Sequence, residues 1–225
     1  MGAEVSPDIV PVVGGMSGDG ITTRYWDCSK PSCSWYENLP ADKTNPARSC
    51  AIDGNTTVSP HYQSSCEPGA EPPVAFMCND QQPWIVNSTL SYGFAAASFS
   101  GGNDSSRCCT CILLSFKGQL AGKQHLIQIT NTGGDLTQNQ FDLSNPGGGV
   151  GICLVSCAEM WGCPSTGWGE QYGGISTLEE CAELPEVLQP GCRWRWEFME
   201  GIPNPDVSFQ EVECPQEIVD ISGCY

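Results

Sequence analysis

A carboxylate lies at the end of an aromatic and β-branched stretch near the start of the chain. In TRYWDCSKPSCSW, residues 23–35, Tyr25 and Trp26 precede Asp27, and the composition predicts a strand that ends at this acid. Cys28 and Cys33 flank the turn that follows. A carboxylate held at a strand end beside aromatic side chains is suited to chemistry on a sugar. Taken alone, the stretch favours a simpler interpretation, a surface aspartate beside a buried aromatic pair.

A second acidic stretch lies downstream in a loop rich in glycine and asparagine. TNTGGDLTQNQFDLSNPGGGVG, residues 130–151, contains Asp135 and Asp142. Together the two stretches closely resemble glycoside hydrolase family 45, the small inverting endoglucanases, with its patterns T-R-Y-W-D-C-C-K-P-S-C, G-G-D-L and F-D-L-x-x-P-G-G-G-V-G. The resemblance covers residues 20–225, and it continues in four further segments: Cys66-Glu67-Pro68-Gly69, Arg107-Cys108-Cys109-Thr110-Cys111, Gln171-Tyr172-Gly173-Gly174-Ile175-Ser176 and Pro190-Gly191-Cys192.

The resemblance implies distinct roles for two acids. Asp142 would be the general acid and Asp27 the general base of glycoside hydrolysis. When the two carboxyl groups stand about 6.5–9.5 Å apart, a water fits between base and sugar and the anomeric centre inverts. Phe141 precedes Asp142, and apolar surroundings would raise the pKa of that acid. We expect a nearby positive charge, Lys30 or Arg24, to keep Asp27 ionised.

Other side chains are predicted to assist. Asp135 matches a third family acid on a loop over the cleft, although a Gly-Gly-Asp turn also favours aspartate for its own backbone hydrogen bonds. Tyr25 and Trp35 are predicted to contact sugar rings, whose C–H faces pack on aromatic rings, and Arg24 and Lys30 are also predicted to bind substrate. The remaining tryptophans are expected in the core or at the rim, with a groove role open for the two in a loop, Trp161 and Trp168.

The elements that must position these residues are mostly strands. Residues 176–179 form a capping box, with Ser176 as the N-cap, and Pro215 is predicted to open a last helix. Many short strands and long loops indicate a closed β-barrel. The resemblance specifies a six-stranded double-psi β-barrel with disulfide-stapled loops and a few short helices, in one catalytic domain, 21–225, after an N-terminal arm, 1–20. The predicted strands are 21–27, 92–99, 109–116, 124–130, 193–198 and 207–214.

Cysteine usage indicates the compartment. Fifteen cysteines, two histidines and a single C-x-x-C motif favour disulfides over a zinc site, so we expect a secreted protein with no metal and no organic cofactor. The glycosylation triplets at Asn55, Asn87 and Asn103 agree with secretion. No signal peptide is visible, and the chain is expected to be a mature form. There is no apolar run of membrane-spanning length.

The resemblance also implies a disulfide pattern. Ser29 replaces a family cysteine whose partner matches Cys66, so Cys66 is expected to be unpaired unless it finds a new partner. Cys153 and Cys163 lie outside the scheme and are expected to pair, and the odd count predicts one free thiol. The implied pairs are Cys28–Cys157, Cys33–Cys108, Cys50–Cys78, Cys109–Cys224, Cys111–Cys214 and Cys181–Cys192.

Charge restricts the partners. Twenty-six acids against nine bases give a net charge of −17, which disfavours nucleic acid, anionic membranes and polyanionic substrates. A neutral polysaccharide, cellulose or a related β-glucan, suits this charge, which also simply keeps a secreted protein soluble. We expect a monomer.

Three functions therefore compete. The favoured one is a secreted endo-β-1,4-glucanase that inverts the anomeric centre. A non-hydrolytic, expansin-like wall-loosening or carbohydrate-binding protein resembles the family but lacks the counterpart of Asp27, and a barwin-like module would not explain the three matching acids. Within the hydrolase interpretation, xyloglucan, mixed-linkage glucan or glucomannan remains an alternative substrate.

Overall fold

Nine strands, three α-helices and six short 3₁₀ helices form in the part of the chain that the computed structural model describes, residues 7–99, 104–133 and 138–225. The strands are β1 (Ser17–Tyr25), β2 (Gln63–Ser64), β3 (Val74–Ala75), β4 (Trp84–Ile85), β5 (Leu90–Ser98), β6 (Cys111–Phe116), β7 (Gln124–Thr132), β8 (Gln140–Ser144) and β9 (Asp206–Val212). The α-helices are α1 (Ser156–Trp161), α2 (Gln189–Glu197) and α3 (Gln216–Ser222). The 3₁₀ helices are Ser32–Ser34, Tyr36–Asn38, Asp104–Arg107, Gly118–Leu120, Glu179–Glu183 and Glu186–Leu188.

Six of the strands close into a barrel. The hydrogen-bonded order is β5-β7-β6-β9-β1-β8, and pairing of β8 with β5 closes the ring. Strand β4 pairs with Ser91 and Tyr92 at the start of β5, before the residues of β5 that pair with β8. The pairs β1–β8 and β5–β7 are parallel, and the other pairs in the ring are antiparallel. The predicted mainly β class with a six-stranded barrel is confirmed. Closure leaves no long open edge among these six strands.

The barrel interior is filled by alternate residues of its strands. Side chains of a strand point to opposite faces in turn, so one residue in two enters the core. Ile112, Leu114, Ile127 and Phe141 are all fully buried in one apolar cluster. Strand β1 starts at Ser17, earlier than the predicted residue 21, so residues 17–20 of the predicted arm pair with β9 as part of the barrel.

A second apolar cluster lies outside the barrel, beneath the loops. It unites Tyr25 and Trp26 at the end of β1 with Val150, Trp168 and Ile175 of the long segments downstream. Burial of these apolar surfaces fixes loops that have little regular structure of their own. The second cluster therefore holds the loops around the end of β1.

The predicted strand at 193–198 is wrong, because these residues lie in α2 and just after it. Alternating tryptophan and arginine satisfies a period of two, but Trp194 and Phe198 are also one helical turn apart. Both rings are buried in the barrel core and stack with centroids 6.0 Å apart. Pro190 in the first turn and the Cys181–Cys192 disulfide fix the start of this helix.

The other predicted elements near the C-terminus are mostly confirmed. Strand β9 and helix α3 form, with Pro215 just before α3 and Gly223, at φ +68°, ending it. The predicted capping box is wrong: the residue before the 3₁₀ helix Glu179–Glu183 is Leu178, and no side chain among the described residues caps this helix. The carboxylate of Glu180, not Glu179, accepts the backbone N–H groups of Ser176 and Thr177 and so holds the preceding loop.

All six disulfides implied by the resemblance are present. The predicted pairing of Cys153 with Cys163 is wrong, and Cys66 is not left unpaired: Cys66 bonds Cys153, and Cys163 is the free thiol. Ser65 Oγ donates a 2.6 Å hydrogen bond to Ser156 Oγ at the start of α1. This contact brings the loop that carries Cys66 beside the segment that carries Cys153.

Candidate active site

Asp142 projects from the outer face of the barrel. In β8 its neighbours Phe141 and Leu143 are buried in the barrel core, so the alternation of the strand directs Asp142 away from that core. Its register partners are Thr23 on β1 and Ala96 on β5. The carboxyl group is thus carried by a strand that is hydrogen-bonded on both sides, which is a rigid support.

Asp27 lies just beyond the end of β1. The backbone of the next residue, Cys28, has φ +61° and is fixed by the disulfide to Cys157. Ser29 donates its backbone N–H to Oδ1 of Asp27 at 2.9 Å and its hydroxyl to Oδ2 at 3.0 Å. Burial raises the pKa of Asp27, and these two hydrogen bonds from Ser29 act in the opposite direction. The donors that favour its ionised form therefore belong to Ser29, where the sequence suggested Lys30 or Arg24.

Tyr25 links the two acids. Its hydroxyl is buried and accepts hydrogen bonds from Asn131 Nδ2 at 3.1 Å and Ser144 Oγ at 3.3 Å. Burial is the main cause that raises the pKa of Tyr25, and the charges of Asp27 and Asp142 raise it further. Strand β1 pairs with β8 so that Thr23 lies opposite Asp142, and Asp27 follows two residues after Tyr25, the last residue of β1. The pairing therefore brings together two acids that are far apart in sequence.

An open cavity of about 410 Å³ adjoins Asp142. Its wall combines the end of β1 and part of β8 with three loops from the C-terminal half, and both polar and aromatic groups face it. The lining residues are Thr23, Arg24, Tyr25, Gln140, Asp142, Gly148, Gly149, Gly151, Gln171, Tyr172, Gly173, Pro203 and Asn204. A space of this size accommodates sugar units and not merely water.

Arg24 joins two of the three loops of this wall. Its Nε donates to the carbonyl oxygen of Gly173 at 3.0 Å, and its Nη1 donates to Oδ1 of Asn204 at 2.8 Å. Burial lowers the pKa of Arg24, and the negative charge of Asp142 opposes that shift. The charge of Arg24 thus acts on the predicted acid and not on the predicted base.

The glycine run next to the acids is required by close backbone approach. The carbonyl of Gly149 accepts the N–H of Trp26 at 2.7 Å. A Cβ atom on Gly148 would lie 2.9 Å from the backbone nitrogen of Tyr25 and 2.8 Å from the oxygen of Asn145. Because any side chain would push the loop away from β1, glycine here keeps the cavity wall against the strand that leads to Asp27.

Lys30 and Trp35 form a separate contact on the Asp27 side. Lys30 is buried, and its ammonium group donates to the carbonyl oxygens of Pro60 at 2.6 Å and Tyr62 at 2.9 Å. The same nitrogen lies 3.1 Å from the centre of the Trp35 ring, and burial lowers the pKa of Lys30 to about 8. Trp35 is half-buried with one face covered by Lys30, so a role of either residue in binding sugar stays a prediction.

The remaining predictions have different outcomes. Asp135 lies outside the described residues, and its role stays a prediction. Trp168 is buried, and Trp161 ends α1 and packs against the second cluster, so both serve packing.

Within the described ranges, no group of three or more His, Cys, Asp or Glu side chains is placed to hold a metal. None of the described helices has the length and apolar character that would cross a membrane.

Sequence reasoning missed two residues of the site, Ser29 and Tyr172, and noted Gln140 only as a glutamine that stands where some members of the resembled family carry histidine. Ser29 was noted as an absent cysteine, and the departure from the family pattern was the signal that marked it. Gln140 lines the cavity and donates from its amide to the hydroxyl of Thr23 at 3.0 Å, beside Asp142. Tyr172 lines the same cavity with 67% of its surface exposed, and its place in a segment that matches the family was the available signal.

Comparison with known proteins identifies the class. The profile described as Glycosyl hydrolase family 45 matches residues 19–225, and the chain belongs to this family. The chain is 56% identical to "Endoglucanase" of Phaedon cochleariae over 98% of this chain and 90% of that protein. It is 46% identical to "Endoglucanase" of Cryptopygus antarcticus over 96% of this chain and 93% of that protein. The crystal structure of cellulase from the Antarctic springtail Cryptopygus antarcticus superimposes with a TM-score of 0.85, at 46% identity, over 93% of this chain and 97% of that one.

Proposed function

We propose that this protein is an endo-β-1,4-glucanase that hydrolyses internal bonds of cellulose or a related neutral β-glucan and inverts the anomeric centre. One observation carries the proposal: Asp142 and Tyr25 line the same open cavity, and Tyr25 ends the strand that leads directly to Asp27. Paired carboxyl groups are the chemical requirement of this hydrolysis. Membership of family 45 and the names of the relatives support it.

In the proposed mechanism, Asp142 donates a proton to the leaving glycosidic oxygen and Asp27 takes a proton from the attacking water. The hydrogen bonds from Ser29 favour the ionised form of Asp27 that a base needs, while burial raises its pKa and makes it a stronger proton acceptor. Water and the two acids suffice, so the mechanism needs no metal or organic cofactor. Asp135 is proposed to assist from its loop.

The proposal also includes the setting in which the enzyme works. Seven disulfides support an oxidising compartment, and we propose that the protein is secreted. The acidic surface, with a net charge of −17, suits a neutral polysaccharide and a monomer that repels its own copies.

The test is product analysis on cellohexaose, with anomers followed by proton NMR. The intact protein should release fresh α-anomer. Asp142→Asn and Asp27→Asn should each lower kcat by roughly 10²–10⁴-fold, the usual contribution of a general acid or base. Asp206→Asn, at the exposed start of β9, is the matched control and should retain activity.

Other outcomes would redirect the proposal. Fresh β-anomer would overturn inversion. Cleavage of xyloglucan or glucomannan in preference to cellohexaose would change the substrate but keep the mechanism. Binding to amorphous cellulose without cleavage of any of these glucans would favour the non-hydrolytic, expansin-like function instead.

A further inference from the structure

Tyr36 and His61 form an exposed aromatic pair that the proposed mechanism does not use. Their ring centroids are 5.5 Å apart with the planes tilted by 38°. Both side chains are exposed, Tyr36 to 46% of its surface. Aromatic rings that serve packing are normally covered, so this pair presents apolar faces to solvent at little structural benefit.

The pair is held beside Trp35. Lys30 donates from one ammonium group to the carbonyls of Pro60 and Tyr62, on either side of His61, and the same group covers the ring of Trp35. Because Lys30 is only 4% exposed, it ties the His61 loop to Trp35 from the protein side. The outer surfaces of these aromatic residues are left toward solvent.

The segment that leads to Tyr36 is joined by hydrogen bonds to residues of the active site. The 3₁₀ helix Ser32–Ser34, which leads directly to Trp35 and Tyr36, is anchored on β7, where the N–H of Ser32 donates to Asn131 Oδ1 at 2.9 Å. Asn131 in turn donates to the hydroxyl of Tyr25, which lies two residues before Asp27 and lines the cavity beside Asp142. The segment that carries Trp35 and Tyr36 is therefore tied, through Ser32 and Asn131, to the residue that precedes the Asp27 turn.

We propose that Tyr36 and His61 form an additional sugar-binding position for the β-glucan chain, beyond Trp35 on the Asp27 side. The inference rests on the proposed function. The C–H faces of a pyranose pack on exposed aromatic rings, and two rings tilted toward each other offer a shallow apolar seat for one sugar unit. The position contributes only when the bound chain is long enough to reach it, so it sets a preference for longer substrates.

The test is kcat/KM for cello-oligosaccharides from cellotriose to celloheptaose. Tyr36→Ala should lower kcat/KM by roughly two- to tenfold on the longest substrates, the range expected for one aromatic contact, and leave the shortest cleaved substrate unchanged. His61→Ala should act in the same direction, and Tyr36→Phe should retain the wild-type length preference because it keeps the ring. Tyr225→Ala is the matched control, since Tyr225 is 55% exposed and lines a different cavity.

An equal decrease in kcat/KM on substrates of every length would overturn the proposal, because it would assign the pair to loop packing. An unchanged kcat/KM at every length would also overturn it, because the pair would then have no role in binding. Binding of celloheptaose to Asp142→Asn, with and without Tyr36→Ala, separates this proposal from the proposed function. If the intact protein hydrolyses no oligosaccharide but Tyr36→Ala still weakens binding, the sugar position stands and the function falls. If Tyr36→Ala leaves binding unchanged, the sugar position is refuted.

Discussion

Replacing Ser29 with alanine removes one of the two donors that hold the Asp27 carboxylate. The lost bond is the 3.0 Å contact from the hydroxyl to Oδ2, while the backbone N–H of residue 29 still donates to Oδ1. A hydrogen bond to a charged group contributes about 1.5–3 kcal/mol. Asp27 is half-buried and keeps its second donor, so we take the lower end, about 1.5 kcal/mol, which corresponds to about tenfold in an equilibrium.

The direction of the effect follows from the role of the hydroxyl. The hydroxyl stabilises the ionised form of Asp27. Its loss should therefore raise the pKa of Asp27, which burial already raises, still further. A base that is protonated cannot accept a proton from water. On the acidic side of the optimum kcat/KM of Ser29→Ala should therefore fall by about tenfold, and on the alkaline side it should approach that of the intact protein.

The assay is kcat/KM on cellohexaose as a function of pH, which reports groups of the free enzyme. Ser29→Thr keeps a hydroxyl and should restore the profile. Ser34→Ala is the matched control, because the hydroxyl of Ser34 is buried and has no hydrogen-bond partner among the described residues. If the acidic limb of Ser29→Ala moved no further than that of Ser34→Ala, or moved toward lower pH, the argument that Ser29 tunes the base would be refuted.

Three further predictions concern the surrounding structure. Burial lowers the pKa of His125 from 6.5 to about 3, so between these pH values only the unfolded state takes up the proton, and the protein becomes less stable as the pH is lowered. Urea unfolding at pH 4 should therefore give a free energy of unfolding about 3 kcal/mol lower than at neutral pH, and His125→Phe should lack this decrease. Arg24→Lys keeps the charge but cannot bridge both loops, and it should lower the free energy of unfolding by about 2 kcal/mol and weaken binding of cellohexaose, measured by calorimetry. Thiol titration of unfolded, unreduced protein should find one thiol per chain, and peptide mapping should assign it to Cys163 with Cys66 joined to Cys153; a thiol at Cys66 would contradict the fold.

The family resemblance, carried by segments in matching order, correctly implied six disulfides and the six-stranded barrel. It also implied the catalytic roles of Asp27 and Asp142, which stay a prediction. The new partner of Cys66 could not be predicted, because disulfide connectivity depends on which loops meet in space. Here the loop that carries Cys66 meets the segment that carries Cys153, where Ser65 also contacts Ser156, and no sequence pattern points from one segment to the other.

The error at 193–198 has a different physical origin. Side chains that alternate with period two fit a strand, yet the same residues place Trp194 and Phe198 on one helical face. Trp194 and Phe198, one turn apart, pack in the apolar core of the barrel, while Arg193 and Glu197, also one turn apart, are partly exposed to solvent. Tertiary packing thus decided between two local structures that the sequence alone permits.

The supports of the two acids differ in a way that fits their proposed roles. Asp142 is carried by a barrel strand paired on both sides, so its position is set by the most cooperative part of the fold. Asp27 stands on a short turn whose geometry depends on Cys28, the Cys28–Cys157 disulfide and Ser29. A general acid must meet one oxygen of the substrate, whereas the base acts through a water that adjusts its own position. The position of the proposed acid must therefore be fixed more tightly than that of the proposed base. A substitution beside the base is easier to tolerate, and this is where Ser29 replaces the cysteine of the family pattern.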